Sequence, residues 1–238
     1  MKKLLILLLP LVLIGTSCKK IDALDGEQLE FEVNVSNFDG IDLQGVGSLV
    51  YTHDTTHSIT VVTTQKVYDE MQFTVSGSTL VIKFRDNVTI ENGDQVKIYI
   101  SHPGVKNFTL SGSGSITADL DSNQISGGLF HISGSGSLYA TNIVHNGTID
   151  AKISGSGNMA LEGISDGSDV LLSGSGTIAN FNLHTDNTEV RLTGSGRVEC
   201  RVNNALDVLI SGSGNVYYKG NPTITQAISG SGSLIDAN

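Results

Sequence analysis

One tetrapeptide recurs along the second half of this 238-residue chain and constrains its fold more than any other feature. Ser-Gly-Ser-Gly, replaced once by Thr-Gly-Ser-Gly, occurs seven times, at spacings of 22, 21, 19, 20, 18 and 18 residues. The first glycines of the copies are Gly112, Gly134, Gly155, Gly174, Gly194, Gly212 and Gly230. A period of about 20 residues matches one coil of a β-solenoid and is too short for a propeller blade.

The residues that flank each copy alternate between apolar and polar. Around Gly212, for example, Val208, Ile210 and Val216 share the parity of the glycines. Because successive side chains of a strand face opposite sides, the apolar side chains and the glycines are predicted to share an inner face. A Gly/Ser linker would lack this alternation, and a helix would repeat its apolar residues at i, i+3 and i+4. The pattern therefore predicts an all-β fold, a parallel β-helix (β-solenoid), over residues 108–238.

The serines of the copies have the opposite parity and are predicted to project outward in two columns. The first column is Ser111, Ser133, Ser154, Ser173, Thr193, Ser211 and Ser229, and the second is Ser113, Ser135, Ser156, Ser175, Ser195, Ser213 and Ser231. Two interpretations are open. Serine suits a tight glycine corner, where its hydroxyl can satisfy nearby backbone groups. A regular hydroxyl array could also match an ordered lattice such as ice or crystalline polysaccharide.

The first 18 residues have the layout of a bacterial export signal. Lys2 and Lys3 precede an apolar run over residues 4–14, which is too short to span a bilayer, and small residues then lead to Cys18. This layout predicts a signal peptide over residues 1–17 and lipidation of Cys18. Gly15 stands where a lipoprotein signal normally has Leu, and plain secretion with an ordinary cleavage site is the alternative.

The segment between Cys18 and the repeats is predicted in two parts. Residues 18–30 are polar and acidic, which predicts a tether from the lipid anchor. Residues 31–107 are predicted to form a β-rich, partly antiparallel cap, with hairpin turns at 53–57 and 75–80 and a short helix at 65–71. The chain stops soon after the last copy, so the terminal coil is predicted to be exposed or covered by another copy, which makes self-association possible.

The net charge bears on the class of partner, and the two cysteines bear on whether the fold contains a disulfide. Without residues 1–17 the chain has 12 basic and 24 acidic residues, a formal net charge of −12. A surface this acidic repels nucleic acid, so no nucleic-acid partner is expected. Cys200 lies in an alternating apolar segment and is predicted to be a buried hydrophobe, with no disulfide partner if Cys18 carries lipid.

Several motifs together resemble a known family. They are Phe38-Asp39-Gly40-Ile41, Leu43-Gln44-Gly45-Val46-Gly47, Leu80-Val81-Ile82, the segment 98–101 followed by Pro103, the serial Ser-Gly-Ser-Gly copies, and Tyr217-Tyr218-Lys219-Gly220-Asn221-Pro222. Over about residues 31–236 the chain resembles the putative auto-transporter adhesin head (GIN) domain family. The resemblance implies an exported envelope protein, frequently a lipoprotein of Bacteroidetes-type bacteria, with a right-handed parallel β-helix. It implies no catalytic residues.

Two functions from different classes are consistent with the sequence. The first is a non-catalytic binding or adhesion module, anchored by lipid at the outer membrane or cell surface, with carbohydrate or a surface polymer as partner and with neither cofactor nor metal. The alternative is a polysaccharide lyase or hydrolase, as the fold-level analogy suggests. Glycoside hydrolysis needs two carboxylates across the scissile bond. The candidate carboxylates are Asp119, Asp121, Asp150, Asp166, Asp169, Asp186 and Asp207. His53 and His57 flank one predicted turn, but two histidines alone make a poor metal site.

Overall fold

The computed structural model describes residues 19–120 and 128–238. The predicted signal peptide (1–17), the predicted lipidation site Cys18 and the candidate carboxylate Asp121 lie outside the described residues. The N-terminal strands are β1 (Lys19–Asp22), β2 (Gln28–Glu32), β3 (Gly40–Gly45), β4 (Ser48–His53), β5 (Ser58–Thr64), β6 (Met71–Ser76), β7 (Thr79–Phe84), β8 (Val88–Glu91) and β9 (Lys97–His102). The remaining strands are β10 (Asn107–Gly112), β11 (Ser115–Asp119), β12 (Leu129–Gly134), β13 (Ser137–Gly155), β14 (Asn158–Gly174), β15 (Thr177–Gly194), β16 (Arg197–Gly212), β17 (Asn215–Lys219), β18 (Thr223–Gly230) and β19 (Ser233–Asp236).

The strands of the repeat region stack in parallel and form a right-handed parallel β-helix, as predicted. Each glycine of one copy lies beside the corresponding glycine of the next, as in the pairs Gly134–Gly155 and Gly174–Gly194. The solenoid begins earlier than residue 108, because β3 and β4 pair in parallel with β10 and β11. The first coil therefore lies within the segment that was predicted as the cap.

The core is a thin stack of aliphatic side chains, as the parity predicted. In the coil around Gly212, Val208, Ile210 and Val216 are all buried, and the second glycine, Gly214, is buried with them. Large rings occur in the core only near the N-terminal end of the described solenoid, where Tyr51, Phe108 and Phe130 are fully buried. The scarcity of aromatic residues thus follows from a core whose width leaves room for Ile, Leu and Val in most coils.

The two glycines of each copy form a corner that other residues cannot adopt. Gly174 has φ +128°, and a Cβ on it would lie 2.2 Å from the carbonyl oxygen of Gly155 in the preceding coil. That oxygen accepts a hydrogen bond from the amide of Ser175 at 3.0 Å. The backbones of successive coils therefore approach each other directly at the corner, which requires both the positive φ and the missing side chain of glycine.

The N-terminal end of the solenoid is covered by antiparallel strands. β7 pairs with β6 in the predicted hairpin at 75–80, which is confirmed. The predicted hairpin at 53–57 is wrong, because β9 lies between β4 and β5 and pairs with both. The predicted helix at 65–71 is shorter, a single turn α1 (Gln65–Tyr68). Met71 already belongs to β6, where its partner is Phe84, so strand pairing ends the helix.

The structure also differs from the predicted tether over 18–30. β1 pairs in parallel with β8, and β2 pairs antiparallel with β5. Ile21 and Ala23 are buried against the cap, which ties these residues to the fold. A four-residue strand with one buried side chain, Ile21, is too short to produce a recognisable alternation, so the sequence pattern did not reveal it. Within the described ranges, no helix has the length and apolar content needed to cross a membrane.

Candidate binding site

A shallow groove crosses the outer face of the sheet that contains β11 and the first residues of β13, β14 and β15. We name it the tyrosine groove. Its volume is about 240 Å³, and most of its lining surface is apolar. Its outward lining residues are Ser115, Thr117, Ser137, Tyr139, Asn158, Ala160, Thr177 and Ala179. The small side chains of Ala160 and Ala179 make a flat floor, and hydroxyl and amide groups lie along one border.

An exposed aromatic ring stands at one side of the tyrosine groove. Tyr139 is 43% exposed and neighbours Ala160 in the strand register. Its hydroxyl lies 3.3 Å from Oε2 of Glu162. Desolvation, together with the negative charge of Glu162, raises the pKa of the Tyr139 phenol, so the group is a neutral donor at physiological pH. The hydroxyl is thus directed towards Glu162, and the side chain remains exposed to solvent.

A second ordered group follows on the C-terminal side of Ala179. Glu199 is the register partner of Ala179, and Tyr217 is the register partner of Glu199. The Arg197 guanidinium lies 3.7 Å from the centre of the Tyr217 ring, and its Nε donates to Glu199 at 2.8 Å. The hydrogen bond to Glu199 raises the pKa of Arg197 and holds its charged fork in one orientation. Tyr139 and Glu199 are three coils apart, a distance on the order of 14 Å at about 4.8 Å per coil.

The tyrosine groove was missed in the sequence analysis, although a signal for it exists. Tyr139, Ala160, Ala179, Glu199 and Tyr217 all lie five residues after the first glycine of a copy. Because the glycines stack in register, residues at equal offsets from them share a column on the surface. Alignment of the copies on their glycines therefore identifies the column. Parity alone distinguishes only side chains that face the core from side chains that face solvent.

Three of the candidate carboxylates lie in one column on the strand segments that precede the glycine corners. Asp150, Asp169, Glu189 and Asp207 are successive register partners, each five residues before a first glycine. The last three of them, with Asp166, line a corner groove of about 460 Å³. Asp150 forms an ion pair with Lys152 at 3.0 Å, and Glu189 forms one with Arg191. The column stands on a single sheet face, whereas glycoside hydrolysis needs carboxylates on both sides of a bond.

The other candidate carboxylates are separate from this column. Asp119 accepts a hydrogen bond from Asn142 at 2.7 Å, and Asp186 accepts one from Asn203 at 3.2 Å. Both aspartates therefore have partners on the neighbouring coil. Across residues 19–120 and 128–238, no three His, Cys, Asp or Glu side chains are placed to hold a metal ion.

The histidines of the predicted turn belong to an aromatic cluster in the cap. The His57 and His102 rings are 5.1 Å apart, and Phe38 stacks on His102 at 4.6 Å. Nδ1 of His102 accepts a hydrogen bond from the amide of Gly104 at 3.0 Å. His53 is the register partner of His102. Burial lowers the pKa of His102, and the neighbouring His57 and His53 lower it further. The lowered pKa favours the neutral imidazole of His102, which packs against Phe38 and His57 in the cap.

Cys200 is a buried core residue, as predicted. It is 3% exposed, and burial raises the pKa of its thiol to about 12. The serine columns are on the surface, also as predicted, and nearly all of their members are exposed. At the last two copies the hydroxyls of Ser231 and Ser213 lie 3.1 Å apart, within hydrogen-bonding distance.

The family described as putative auto-transporter adhesin, head GIN domain, matches residues 37–222. The chain belongs to this family. Its GIN domain occupies most of the described structure and includes the column of Tyr139 and that of Asp169. Among curated proteins none matches the chain.

Solved structures share the fold of this GIN domain. A putative adhesin from Bacteroides fragilis superimposes with a TM-score of 0.80 at 22% identity, over 91% of this chain and 99% of that one. A putative lipid binding protein from Parabacteroides distasonis gives a TM-score of 0.74 at 22% identity, over 92% and 100%. A putative adhesin from Parabacteroides merdae gives 0.66 at 17% identity, over 92% and 100%. At these identities the similarity concerns the fold.

Proposed function

We propose that this GIN domain is a non-catalytic adhesion module of the bacterial cell envelope that binds carbohydrate in the tyrosine groove. The observation that carries the proposal is the pairing of a flat apolar floor, Ala160 and Ala179, with the exposed ring of Tyr139. A sugar ring has an apolar face and a polar circumference, and an aromatic side chain with hydroxyl and amide neighbours complements both. Envelope polysaccharide is the ligand class that fits an exported protein with this groove.

The acidic surface supports the choice of a neutral or cationic glycan. The chain without residues 1–17 has a formal net charge of −12, which disfavours encounter with strongly anionic polymers. The Arg197 guanidinium, one coil beyond Ala179, is already paired with Glu199 through two of its nitrogens, so its positive charge is compensated and does not offset the acidic surface. We therefore expect the preferred ligand to be neutral or cationic.

The proposal includes a lipid anchor on Cys18. The layout of residues 1–18 supports it, and the family supports a place at the cell surface or in the envelope. The strand β1 begins at Lys19, whose amide donates to the Asn87 carbonyl at 2.8 Å. Lipid on Cys18 would then hold the cap directly at the membrane surface. Mass spectrometry of the protein purified from membranes tests this step, and an unmodified N-terminus at Cys18 or elsewhere would contradict it.

The binding experiment uses residues 19–238 and a panel of neutral and acidic polysaccharides. We expect Tyr139→Ala to weaken the strongest interaction by on the order of tenfold, or about 1.4 kcal/mol. Tyr99→Ala is the matched control, because Tyr99 is 45% exposed, close to the 43% of Tyr139, but lies outside the groove. Equal loss in both variants, or loss in neither, would contradict the assignment of the groove.

Each bound polysaccharide is also examined for cleavage. Release of shorter products would contradict a non-catalytic role and would direct attention to the column of Asp150, Asp169, Glu189 and Asp207. The matched variants for that outcome are Asp169→Asn and Asp119→Asn, since Asp169 lines the corner groove and Asp119 lies apart from it.

A further inference from the structure

The C-terminal coil of the solenoid leaves a strand edge uncovered. All eight residues of β18 are exposed, and in the described structure β18 pairs only with β16, on its inner side. Ile224 and Ile228, which have the parity of the core, are 37% and 41% exposed. Every second residue of such a strand directs its N–H and C=O away from the sheet, where they can pair with another strand.

The strand β18 itself contains few of the features with which proteins usually block strand pairing, although Pro222 immediately precedes it and Asp236 ends β19, the other strand of the last coil. Residues 223–235 contain no charged side chain and no proline. Lysine, inward-facing charges, proline and bulges are the common means of protecting an edge. Their absence is notable in a protein with 24 acidic residues among 238, because the charge is placed on the other surfaces. The chemistry of the edge therefore favours association with another strand.

The two ends of the solenoid differ, and this limits how copies can associate. At the N-terminal end, β7 is covered by β6 in an antiparallel hairpin, and β9 is covered by β5, which in turn pairs with β2. A head-to-tail stack would have to place β18 against this cap. Association through β18 alone joins two C-terminal ends and closes after two copies, as an isologous interface does.

The sequence of β18 is self-complementary for antiparallel pairing. Thr-Ile-Thr-Gln-Ala-Ile-Ser has Gln226 at its centre, with isoleucine two residues to either side. A twofold axis through Gln226 places Ile224 opposite Ile228 of the second copy, twice, on the core side of the joined sheet. It also places Thr225 opposite Ala227. None of the residues paired in this way is charged, so the pairing brings no like charges together. We propose that the C-terminal coil is a homodimerisation surface whose occupant is the same coil of a second copy.

The orientation of the pair has a consequence for adhesion, which rests on the proposed function and its lipid anchor. β1 lies in the cap, paired with β8, at the opposite end of the solenoid from β18. Tail-to-tail pairing therefore places the two β1 strands at the far ends of the dimer. Copies anchored on two different membranes can pair in this way, so the dimer would join two cells.

Sedimentation of residues 19–238 across a dilution series tests the dimer. We expect a monomer–dimer equilibrium that Ile228→Lys abolishes, because a charge on each side of the interface would be buried. Ile164→Lys is the control, since Ile164 is an exposed isoleucine at 63% on another part of the solenoid, and it should leave the equilibrium unchanged. A wild-type monomer at every concentration, larger assemblies, or dimers that survive Ile228→Lys would overturn the proposal.

A cysteine variant tests the position of the twofold axis. Gln226→Cys would face itself at a Cβ–Cβ distance of about 4.5–5.5 Å, from which small adjustments allow a disulfide. We expect rapid covalent dimers on oxidation of this variant and none for Ser195→Cys, an exposed site in the middle of the solenoid. Equal crosslinking of the two variants would contradict the axis.

Bead clumping separates this proposal from carbohydrate binding. Beads that carry the protein by its N-terminus should clump in the absence of glycan, and beads with Ile228→Lys should not. The same variant should retain glycan binding, because Ile228 lies outside the tyrosine groove. Clumping that depends on Tyr139 instead of Ile228 would contradict the homodimer and leave the groove intact as the adhesive site.

Discussion

The glycine corner can be tested by adding one methyl group. In Gly174→Ala the new Cβ would lie 2.2 Å from the Gly155 carbonyl oxygen and 3.0 Å from the Gly155 carbonyl carbon. Both atoms are backbone, and the oxygen accepts the amide hydrogen bond of Ser175. The coil can accommodate the methyl group only if adjacent coils move apart or the backbone at residue 174 leaves φ +128°.

The expected loss of stability has two parts. An alanine forced to a positive φ costs about 1–2 kcal/mol. Extra volume in a close-packed site costs about 1–3 kcal/mol through backbone shifts. Gly174→Ala should therefore lower the free energy of unfolding by about 2–5 kcal/mol, a large part of the stability of an ordinary domain.

Alanine substitutions at two other glycines distinguish the cost of the positive φ from the cost of the steric clash. Gly77 has φ +63° and no atom within 4 Å of an added Cβ, so Gly77→Ala should show only the conformational cost, about 1–2 kcal/mol. Gly104 also has open space and no positive φ, so Gly104→Ala should be neutral or stabilise by up to about 1 kcal/mol.

The assay is urea unfolding followed by circular dichroism, because the chain has no tryptophan for fluorescence. From most to least stable, the variants should rank Gly104→Ala, Gly77→Ala and Gly174→Ala. If Gly174→Ala lost no more stability than Gly77→Ala, the close approach of the coils would not be what requires glycine, and the explanation of the repeat would be wrong.

Two further predictions concern titratable groups in the core and the cap. Because burial raises the pKa of the Cys200 thiol to about 12, the native protein should resist alkylation at neutral pH and react fully in denaturant; rapid native labelling would contradict the packing. The lowered pKa of His102 means that the unfolded chain binds its proton at higher pH than the folded chain does. The free energy of unfolding should therefore be constant above about pH 6.5 and fall as the pH decreases below it. His102→Asn should reduce that slope in urea titrations from about pH 8 to pH 5, and an unchanged slope would exclude His102 as its source.

The periodic part of the fold could be predicted from the sequence because its determinants are local. Parity around each glycine determines which side chains face inward, and burial of Val208, Ile210 and Gly214 confirms it. The cap could not be predicted in this way. β9 inserts between β4 and β5 from more than 30 residues away, and no local signal distinguishes this pairing from a hairpin.

The surface columns could be predicted from the sequence only in part. Coil lengths vary from 18 to 22 residues, so residues at a fixed spacing do not stay aligned along the chain. The variation is absorbed away from the glycine corners, as in the register shift between Ala140 and Ile143. Near the glycines the register is preserved, and Tyr139 and Asp169 can therefore be assigned to columns. The chemistry that a column can bind depends on exposure and on neighbours such as Glu162, which only the structure provides.

The stacked glycine corner also has a consequence for how such proteins change in length. Each coil closes on the next through the same backbone contacts, as Gly155 does with Gly174 and Gly174 with Gly194. A duplication or deletion of one whole coil preserves every one of these contacts at the new junction, whereas a partial insertion breaks them. Evolution can thus adjust the reach of the domain in steps of about 4.8 Å, without redesign of either end.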